Sequence, residues 1–290
     1  MVSEFKSTQD LLKAFPTEQA CIEHLETLRW AGSPVSPFDP ASTVYKCKGN
    51  RYKCKNTGKY FNVKVGTIFE DTKIPLQKWF LALYVFSSHK KGVSSHQLAK
   101  DIDVTQKTAW FMLHRLLYAF DHPNFTTTMS GTVEVDETYV GGAEKNKHAS
   151  KRTEGTQGRS TKTKKAVVGM VVEPGATVVT DEYGAYRGIQ GNYEHAVIRH
   201  GAKEFVNGKA HTNTIEGFWS LFKRGIDGIY HWVSFKHLQA YADEFVLRYN
   251  TRKFETSQRF DLVLANSTRR LSYRHLIHGK EAIKQTHPSR

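Results

Sequence analysis

Apolar residues recur at α-helical spacing over much of the first thirty positions. Residues 7–10 (STQD) have the form of a capping box, which predicts that a short helix begins there. A second helix is predicted from Thr17 to Trp30, since its apolar side chains recur every two to four positions. Those side chains are Ala20, Ile22, Leu25 and Leu28. Three prolines within residues 32–40 then predict a loop.

Two short segments after this loop have the alternation of β-strands. They cover residues 44–47 and 52–55 and are separated by KGNR (48–51), which predicts a small hairpin. From Pro75 onward the pattern becomes helical, with a strongly apolar helix predicted over 76–88.

A helix, a tight turn and a second helix are predicted between residues 93 and 120. The first helix has Ser94 or Ser95 as its N-cap, and the turn falls at residues 103–104. Polar and basic side chains open the second helix, where DNA-reading helices contact the major groove. They are Thr105, Gln106 and Lys107. A plain helical hairpin is the alternative, and the pattern alone fits both.

The periodicity changes to that of β-strands in the second half of the chain. In TVEVD (132–136) the acidic residues Glu134 and Asp136 alternate with valines, which places both on one strand face. A continuous apolar run predicts a buried strand over 166–172, and a further strand is predicted over 177–181.

Helical patterns return near the C-terminus. A helix is predicted from about Thr214 to Arg224, with HTN (211–213) as its cap, and an amphipathic helix within 235–250. Four apolar residues define the buried stripe of the first of these helices: Ile215, Trp219, Phe222 and Ile226.

The segment between the strands predicted at 132–136 and 166–172, residues 141–165, is rich in Gly, Ser, Thr and Lys. Its eight Lys and Arg residues outnumber two acidic residues, and such a composition does not pack a core. We expect a mobile basic loop beside the site, with Lys162, Lys164 and Lys165 available to DNA. A solvated surface loop without a function is the alternative.

Composition narrows the class of protein. A length of 290 residues suits two or three modules. The hydrophobic content of 39% is enough to form a sizeable core. Lys and Arg number 42 against 28 Asp and Glu, and the formal net charge of +14 favours nucleic acid over a membrane surface as partner.

The longest apolar run, Trp79–Phe86, has eight residues, too few to cross a bilayer. The first ten residues lack a hydrophobic signal core. Three cysteines without a close CxxC pair fit a reducing cytoplasm.

Three carboxylates occupy positions where side chains converge above a sheet. Asp136 and Asp181 each end a predicted strand, and Glu216 lies in the first turn of a predicted helix. Neighbouring carboxylates repel one another unless cations lie between them, and Mg²⁺ prefers oxygen ligands. Two such ions about 4 Å apart stabilise the attacking and leaving oxygens of a phosphodiester displacement. The constellation therefore predicts a two-metal site.

Each of these residues also has a purely structural interpretation. Glu216 stands three positions after Asn213 and would suit the reciprocal partner of an N-cap. Either aspartate would suit a hydrogen bond to the turn after its strand. Lys223, two helical turns after Glu216, is placed either to grip a phosphate or to stabilise the C-terminal end of the helix. Glu137 and Glu182, adjacent to the aspartates, are further candidate ligands.

Long segments of the chain resemble bacterial insertion-sequence transposases with an ISXO-type DDE domain. The signature blocks are VEVDETYVGG (133–142), TDEYGAY (180–186) and HTNTIEGFWSLFKRG (211–225). The N-terminal module of that family is resembled by TIFE (67–70), PLQKWF (75–80) and TAWFMLHR (108–115). The blocks occur in order over nearly the whole chain.

This resemblance implies an α/β (α+β) fold, with a ribonuclease-H-like catalytic domain whose mixed sheet is flanked by helices. A zinc-ribbon hairpin and a helix-turn-helix module would precede it. Asp136, Asp181 and Glu216 would hold two Mg²⁺ (or Mn²⁺) ions, with Lys223 as the basic partner and Arg224 beside it on the DNA. The implied partner is double-stranded DNA, both transposon ends and target, bound by a homo-oligomer that cleaves and transfers strands.

The chain departs from the family pattern at the zinc ribbon. The positions of its four cysteine ligands correspond here to Ser36, Asp39, Cys54 and Thr57. With one cysteine left in that set, we expect no structural zinc and a degenerate ribbon held by its hairpin and the neighbouring helices.

A second departure lies in the sheet. Only residues 173–176 separate the strands predicted at 166–172 and 177–181, where relatives have a further strand and a helix. So short a connection permits a hairpin but not a parallel crossover. We therefore expect an internally shortened chain with a compromised sheet topology, unless the segment 166–172 takes an altered path.

The predicted organisation has five parts. They are N-terminal helices (1–30), a degenerate ribbon hairpin (31–72), a helix-turn-helix module (73–121), a catalytic domain (130–250, shortened near 172–176) and a helical tail (251–290). The leading hypothesis is a cytoplasmic, nucleoid-associated transposase with no membrane partner. The alternatives are a non-catalytic DNA-binding remnant and a ribonuclease-H-like nuclease without strand transfer.

Overall fold

A computed structural model of the chain describes residues 5–120, 132–141, 148–154, 162–167, 176–181, 194–198 and 213–278. The described helices are α1 (Thr8–Ala14), α2 (Glu18–Trp30), α3 (Leu76–Ser88), α4 (Ser95–Asp101), α5 (Gln106–Phe120), α6 (Asn213–Gly225), α7 (Leu238–Asn250), α8 (Thr256–Ala265) and α9 (Tyr273–His278). The described strands are β1 (Val44–Cys47), β2 (Arg51–Cys54), β3 (Tyr60–Phe61), β4 (Thr132–Val135), β5 (Thr138–Val140), β6 (Lys165–Val167), β7 (Thr177–Asp181) and β8 (Glu194–Ile198). The protein is a mixed α/β structure of helices and small sheets.

The chain divides into two compact units. The first unit contains Met1–Phe125 together with Gln239–Arg290, and the second contains Thr126–Leu238. The sequence predicts a catalytic domain that extends to residue 250 and a separate tail after it. In the structure, the helices from residue 239 onward group with the N-terminal part of the chain.

The first two helices begin at the predicted caps. The Ser7 hydroxyl accepts the Asp10 N–H at 3.2 Å, and the Asp10 carboxylate accepts the Ser7 N–H at 3.1 Å. Thr17 caps α2. The buried residues of α2 are Cys21, Leu25 and Trp30. Of the predicted stripe only Leu25 is buried, and the other three residues are half-buried: Ala20, Ile22 and Leu28.

The predicted hairpin is confirmed as the antiparallel pair β1–β2, and β3 extends it to three strands. Tyr52 stacks on Phe61 with ring centroids 5.7 Å apart, and Trp30 meets Tyr52 edge-on at 5.1 Å. Such aromatic pairs add about 0.5–1.5 kcal/mol beyond the burial of their area, so they fasten the sheet to α2.

Helix α3 is apolar on nearly all sides because it lies inside the first unit. Phe80 and Phe86 are almost completely buried, and Phe80 meets Phe260 of α8 edge-on at 5.4 Å. Burying a side chain of this size stabilises a fold by roughly 1.5–3 kcal/mol. The long apolar run 79–86 is therefore a core helix.

The second unit contains a three-stranded parallel sheet in the order β4–β7–β8 and a separate antiparallel pair, β5–β6. Helix α6 continues into a π-helical turn, Ile226–Tyr230. The strand predicted as buried over 166–172 is only partly observed, since β6 ends at Val167 and residues 168–172 lie outside the described part. Lys165 and Ala166 are both exposed, and because successive strand residues point to opposite faces, both faces of the ladder reach water at this point.

Candidate functional site

Two acidic residues, Glu134 in β4 and Asp136 directly after it, alternate with buried valines, as the sequence predicts. Val133 and Val135 are buried, whereas Glu134 and Asp136 are half-buried. Asp136 follows directly after the strand, and its Oδ1 accepts the backbone N–H of Glu137 at 2.9 Å. This bond is the one expected from the structural interpretation of a strand-end aspartate. It holds the Asp136 carboxylate next to the end of β4.

Strand β7 lies parallel to β4, with Val135 opposite Thr180. Continuing this register by one residue places Asp136 beside Asp181, the last residue of β7. Neighbouring strands are about 4.8 Å apart, so the backbones at these two positions are close together. The structure thus brings two of the three predicted acidic positions to the carboxyl ends of adjacent strands.

The described part of the segment 166–172 does not take part in the expected hairpin with residues 177–181, and residues 168–172 lie outside the described residues. Strand β6 pairs instead with β5, with Val167 opposite Thr138, while β7 pairs with β4 and β8. Residues 165–167 therefore lie beside β5 and not beside β7. Among the described strands, the parallel order that carries Asp136 and Asp181 is retained.

Glu216 lies in the first turn of α6, as predicted, and is exposed. The predicted stripe of this helix is buried at Trp219, Phe222 and Ile226, whereas Ile215 is half-buried. Lys223 and Arg224 stand exposed in the last turn. Packing of the stripe orients the helix so that its acidic first turn and basic last turn both reach solvent.

Glu134 is a residue that the sequence analysis missed. Its Oε2 accepts two backbone N–H groups from the start of α6, Thr214 at 2.8 Å and Ile215 at 2.9 Å. The helix N-terminus is therefore capped by a carboxylate some eighty positions away in the chain, in addition to any local cap. The one signal available in the sequence is that Glu134 shares a strand face with Asp136.

The basic segment is anchored beside β5 at its C-terminal end. Lys165 pairs with Val140 across the β5–β6 ladder. A Cβ atom on Gly141 would lie 2.7 Å from the backbone oxygen of Thr163, so glycine permits this close approach. Two of the predicted DNA-binding lysines, Lys162 and Lys165, are exposed, and Lys164 is half-buried. Residues 142–147 and 155–161 of the expected mobile loop lie outside the described residues.

The three candidates at the start of α5 have different surroundings. Thr105 accepts the N–H of Thr108 at 3.2 Å, as an N-cap. Gln106 donates to the Ser95 hydroxyl at 2.9 Å and so ties α5 to α4. Lys107 is exposed. Ser94 caps α4, and the turn between the helices is made by Asp103 with a positive φ of 52°.

The residues at the expected zinc-ribbon position do not fit a zinc ion. Structural zinc sites are built from cysteine and histidine, whereas Cys54 lies fully buried among the hydroxyls of Ser36, Ser42 and Thr57. Burial alone would raise the pKa of the Cys54 thiol, but hydrogen bonds from these hydroxyls lower it to about 6. The Ser36 hydroxyl also accepts the N–H groups of Phe38 and Asp39. Hydrogen bonds from hydroxyl groups thus surround Cys54 at the end of β2.

Among the side chains that the structure describes, no three His, Cys, Asp or Glu residues lie close enough together to hold a metal ion. The side chain of Asp181 and the whole of Glu182 lie outside that part of the chain. Within the same described ranges, no helix combines the length and the apolar character needed to cross a membrane.

Comparison with known proteins gives two matches. The ISXO2-like transposase domain matches residues 157–250. An uncharacterized protein in transposable element ISH50 of Halobacterium salinarum is 30% identical over 276 residues, covering 82% of this chain and 92% of that protein. No solved structure matches the chain.

Proposed function

Because the chain belongs to the IS1595 family of insertion-sequence transposases, we propose that it binds the ends of its own mobile element and catalyses metal-dependent strand cleavage and strand transfer. The observation that carries this proposal is the parallel pairing of β4 with β7, which sets the backbone of Asp136 beside that of Asp181. In the proposed ribonuclease-H-like fold, these two strands form the centre of the catalytic domain.

Asp136, Asp181 and Glu216 would hold two Mg²⁺ (or Mn²⁺) ions. Carboxylate oxygens are the ligands that these hard cations take, and two of the three residues end neighbouring strands. The third, Glu216, lies in the first turn of α6, and the start of this helix is hydrogen-bonded to Glu134 of β4. When bound, two ions stabilise the attacking and leaving oxygens of a phosphodiester displacement.

The protein's own cations would hold the DNA strand during this chemistry. In the cleavage step a water oxygen bonds to phosphorus while the bond to the 3′ oxygen breaks, which frees a 3′-hydroxyl. In strand transfer the oxygen of that hydroxyl bonds to a phosphorus atom of the target strand while the bond from this phosphorus to its own 3′ oxygen breaks, and the hydroxyl proton passes by way of water to the freed 3′ oxygen. Lys223 and Arg224 are exposed on the helix that carries Glu216, where they would contact the phosphate whose charge grows in both steps.

Recognition of the transposon ends would involve the start of α5, the end of α6 and the basic segment before β6. Thr105, Gln106 and Lys107 open α5, in the manner of a helix-turn-helix module. Lys162, Lys164 and Lys165 would add phosphate contacts. Strand transfer joins two ends to one target, so we expect a homo-oligomer on DNA, associated with the nucleoid in the cytoplasm.

The proposal is tested by comparing the wild-type protein with Asp136→Asn on a duplex that carries the terminal sequences flanking its reading frame. Asparagine keeps the acceptor for the Glu137 N–H but removes the charge that metal binding needs. We expect Mg²⁺-dependent cleavage and joined products from the wild type, no cleavage by the variant, and equal DNA affinity for both. Asp227→Asn, an exposed acid of the same unit, is the matched control and should leave cleavage unchanged.

Three other outcomes would contradict a part of the proposed transposase function. Equal cleavage by Asp136→Asn would overturn the assignment of the metal ligands. DNA binding without cleavage by any protein would identify a non-catalytic remnant. Hydrolysis without joined products would identify a nuclease that lacks strand transfer.

A further inference from the structure

The carboxylate of Glu134 joins two distant parts of the second unit. It stands on β4 opposite Val179 of β7, and its Oε2 accepts the N–H groups of Thr214 and Ile215 at 2.8 and 2.9 Å. The first N–H groups of a helix have no partner within the helix, so they bind a carboxylate well. The positive end of the helix dipole strengthens both bonds.

The two ends of this contact are close in sequence to two of the proposed metal ligands, Asp136 and Glu216. Glu134 is two residues before Asp136 on the same strand face, and Ile215 immediately precedes Glu216. The Glu134 carboxylate therefore fixes the start of α6 to β4, the strand that Asp136 directly follows. Apolar packing through Trp219 and Phe222 holds the rest of the helix but acts one to two turns further along.

We propose that Glu134 is a positioning residue for the reaction: it holds the first turn of α6 on β4 and thereby sets Glu216 relative to Asp136. This inference rests on the proposed function. Both helix N–H groups share one carboxylate oxygen, so we assign Glu134 to the site as a cap for α6 and not as a second metal ligand beside Asp136.

Substitutions at this position separate a positioning role from a ligand role. The amide oxygen of Glu134→Gln can accept the same two N–H groups, although without the negative charge. Glu134→Ala removes the acceptor altogether. A positioning residue should therefore tolerate glutamine better than alanine, whereas a metal ligand should lose its function with either change.

The experiment measures Mg²⁺-dependent cleavage of the terminal duplex by the wild type, Glu134→Gln, Glu134→Ala and Asp136→Asn. We expect Glu134→Ala to need about 10–100-fold more Mg²⁺ for half-maximal cleavage. The requirement of Glu134→Gln should lie between those of the wild type and the alanine variant, and DNA affinity should not change. Hydrogen–deuterium exchange without metal should be faster in residues 213–218 of Glu134→Ala than in the wild type. Protection of β7 in the second unit should be unchanged, which shows that the unit carrying the substitution remains folded.

The outcomes distinguish this inference from the function on which it rests. A wild type that does not cleave overturns the proposed function, and the positioning role for that reaction with it. If the wild type cleaves and Asp136→Asn does not, an unchanged Mg²⁺ requirement or unchanged exchange in Glu134→Ala overturns the positioning role alone. Loss of cleavage by Glu134→Gln as complete as that by Asp136→Asn would make Glu134 a ligand.

Discussion

Arg248 and Arg224 each lie in the last turn of a helix, one in each compact unit, and their surroundings differ completely. The Arg248 side chain is buried, with its guanidinium 2.7 Å from the fully buried carboxylate of Glu244 and bonded to the carbonyl oxygens of Phe86 and His89. Arg224 is exposed, and its Nε donates to the Ser220 carbonyl at 3.1 Å within its own helix. One arginine stabilises the fold, and the other is available to a partner.

Several other cations show the same contrast, although exposed cations such as Lys107 and Arg252 also occur in the first unit. In the first unit, Arg115 is buried and donates to the carbonyl oxygens of Ile68 and Glu70 at 2.7 and 2.8 Å. Arg29 and Arg259 are half-buried and likewise bind backbone carbonyls. In the second unit, Lys162, Lys165 and Lys223 are exposed. The net charge of +14 therefore does not locate the proposed DNA-binding surface, because some of the positive charges are buried in the first unit.

The largest expected effect comes from removing the buried arginine. Arg248→Met leaves the Glu244 carboxylate in the core without its ion-pair partner, which should lower the free energy of unfolding by about 3–5 kcal/mol. Urea unfolding measures this change. Arg224→Met is the matched control and should change the free energy of unfolding by less than about 0.5 kcal/mol. Similar losses from both substitutions would contradict the distinction between the two arginines.

The second largest effect concerns the attachment of the basic segment to β5. In Gly141→Ala the new Cβ would lie 2.7 Å from the Thr163 oxygen and 3.0 Å from the Lys164 Cα, both backbone atoms with little freedom to move. We expect a destabilisation of the second unit by about 1–3 kcal/mol, measured by thermal unfolding. Gly217→Ala should have the opposite sign, since nothing lies within 4 Å of its Cβ and alanine favours a helix interior by up to about 1 kcal/mol.

Local patterns predicted the elements of the site, but not the contacts that assemble them. The strands that lead to Asp136 and Asp181 were recognised by alternation and apolar runs, and α6 by its stripe. The bond from Glu134 to Thr214 joins residues about eighty positions apart, so no local pattern contains it. For the same reason the sequence shows neither which of its arginines are buried nor that β6 pairs with β5.

The third prediction concerns the exposed arginine and DNA. Arg224→Met should weaken binding of the terminal duplex about fivefold, because one phosphate contact is lost, and should leave stability unchanged. The dependence of log K on log salt concentration should become less steep by about 0.9. Fluorescence anisotropy at several salt concentrations measures both quantities. Arg252→Met, an exposed arginine of the first unit, is the comparison. An equal loss of DNA affinity in Arg224→Met and Arg252→Met would show that exposed positive charges contribute to DNA binding wherever they lie on the protein.

The smallest effect is a pH dependence inside the first unit. The hydroxyls of Ser36, Ser42 and Thr57 lower the pKa of Cys54 to about 6, whereas a cysteine in the unfolded chain has a pKa of about 8.5. Because the folded state holds the thiolate more readily, this stabilisation is complete above pH 8.5 and is lost as the pH falls to 6. The urea midpoint of the wild type should therefore rise between pH 6 and 8.5 more steeply than that of Cys54→Ser, which has no thiolate. Cys47→Ser, at a half-buried cysteine of the same hairpin, should keep the wild-type slope. Parallel slopes in all three proteins would mean that the buried corner of the ribbon holds a neutral thiol.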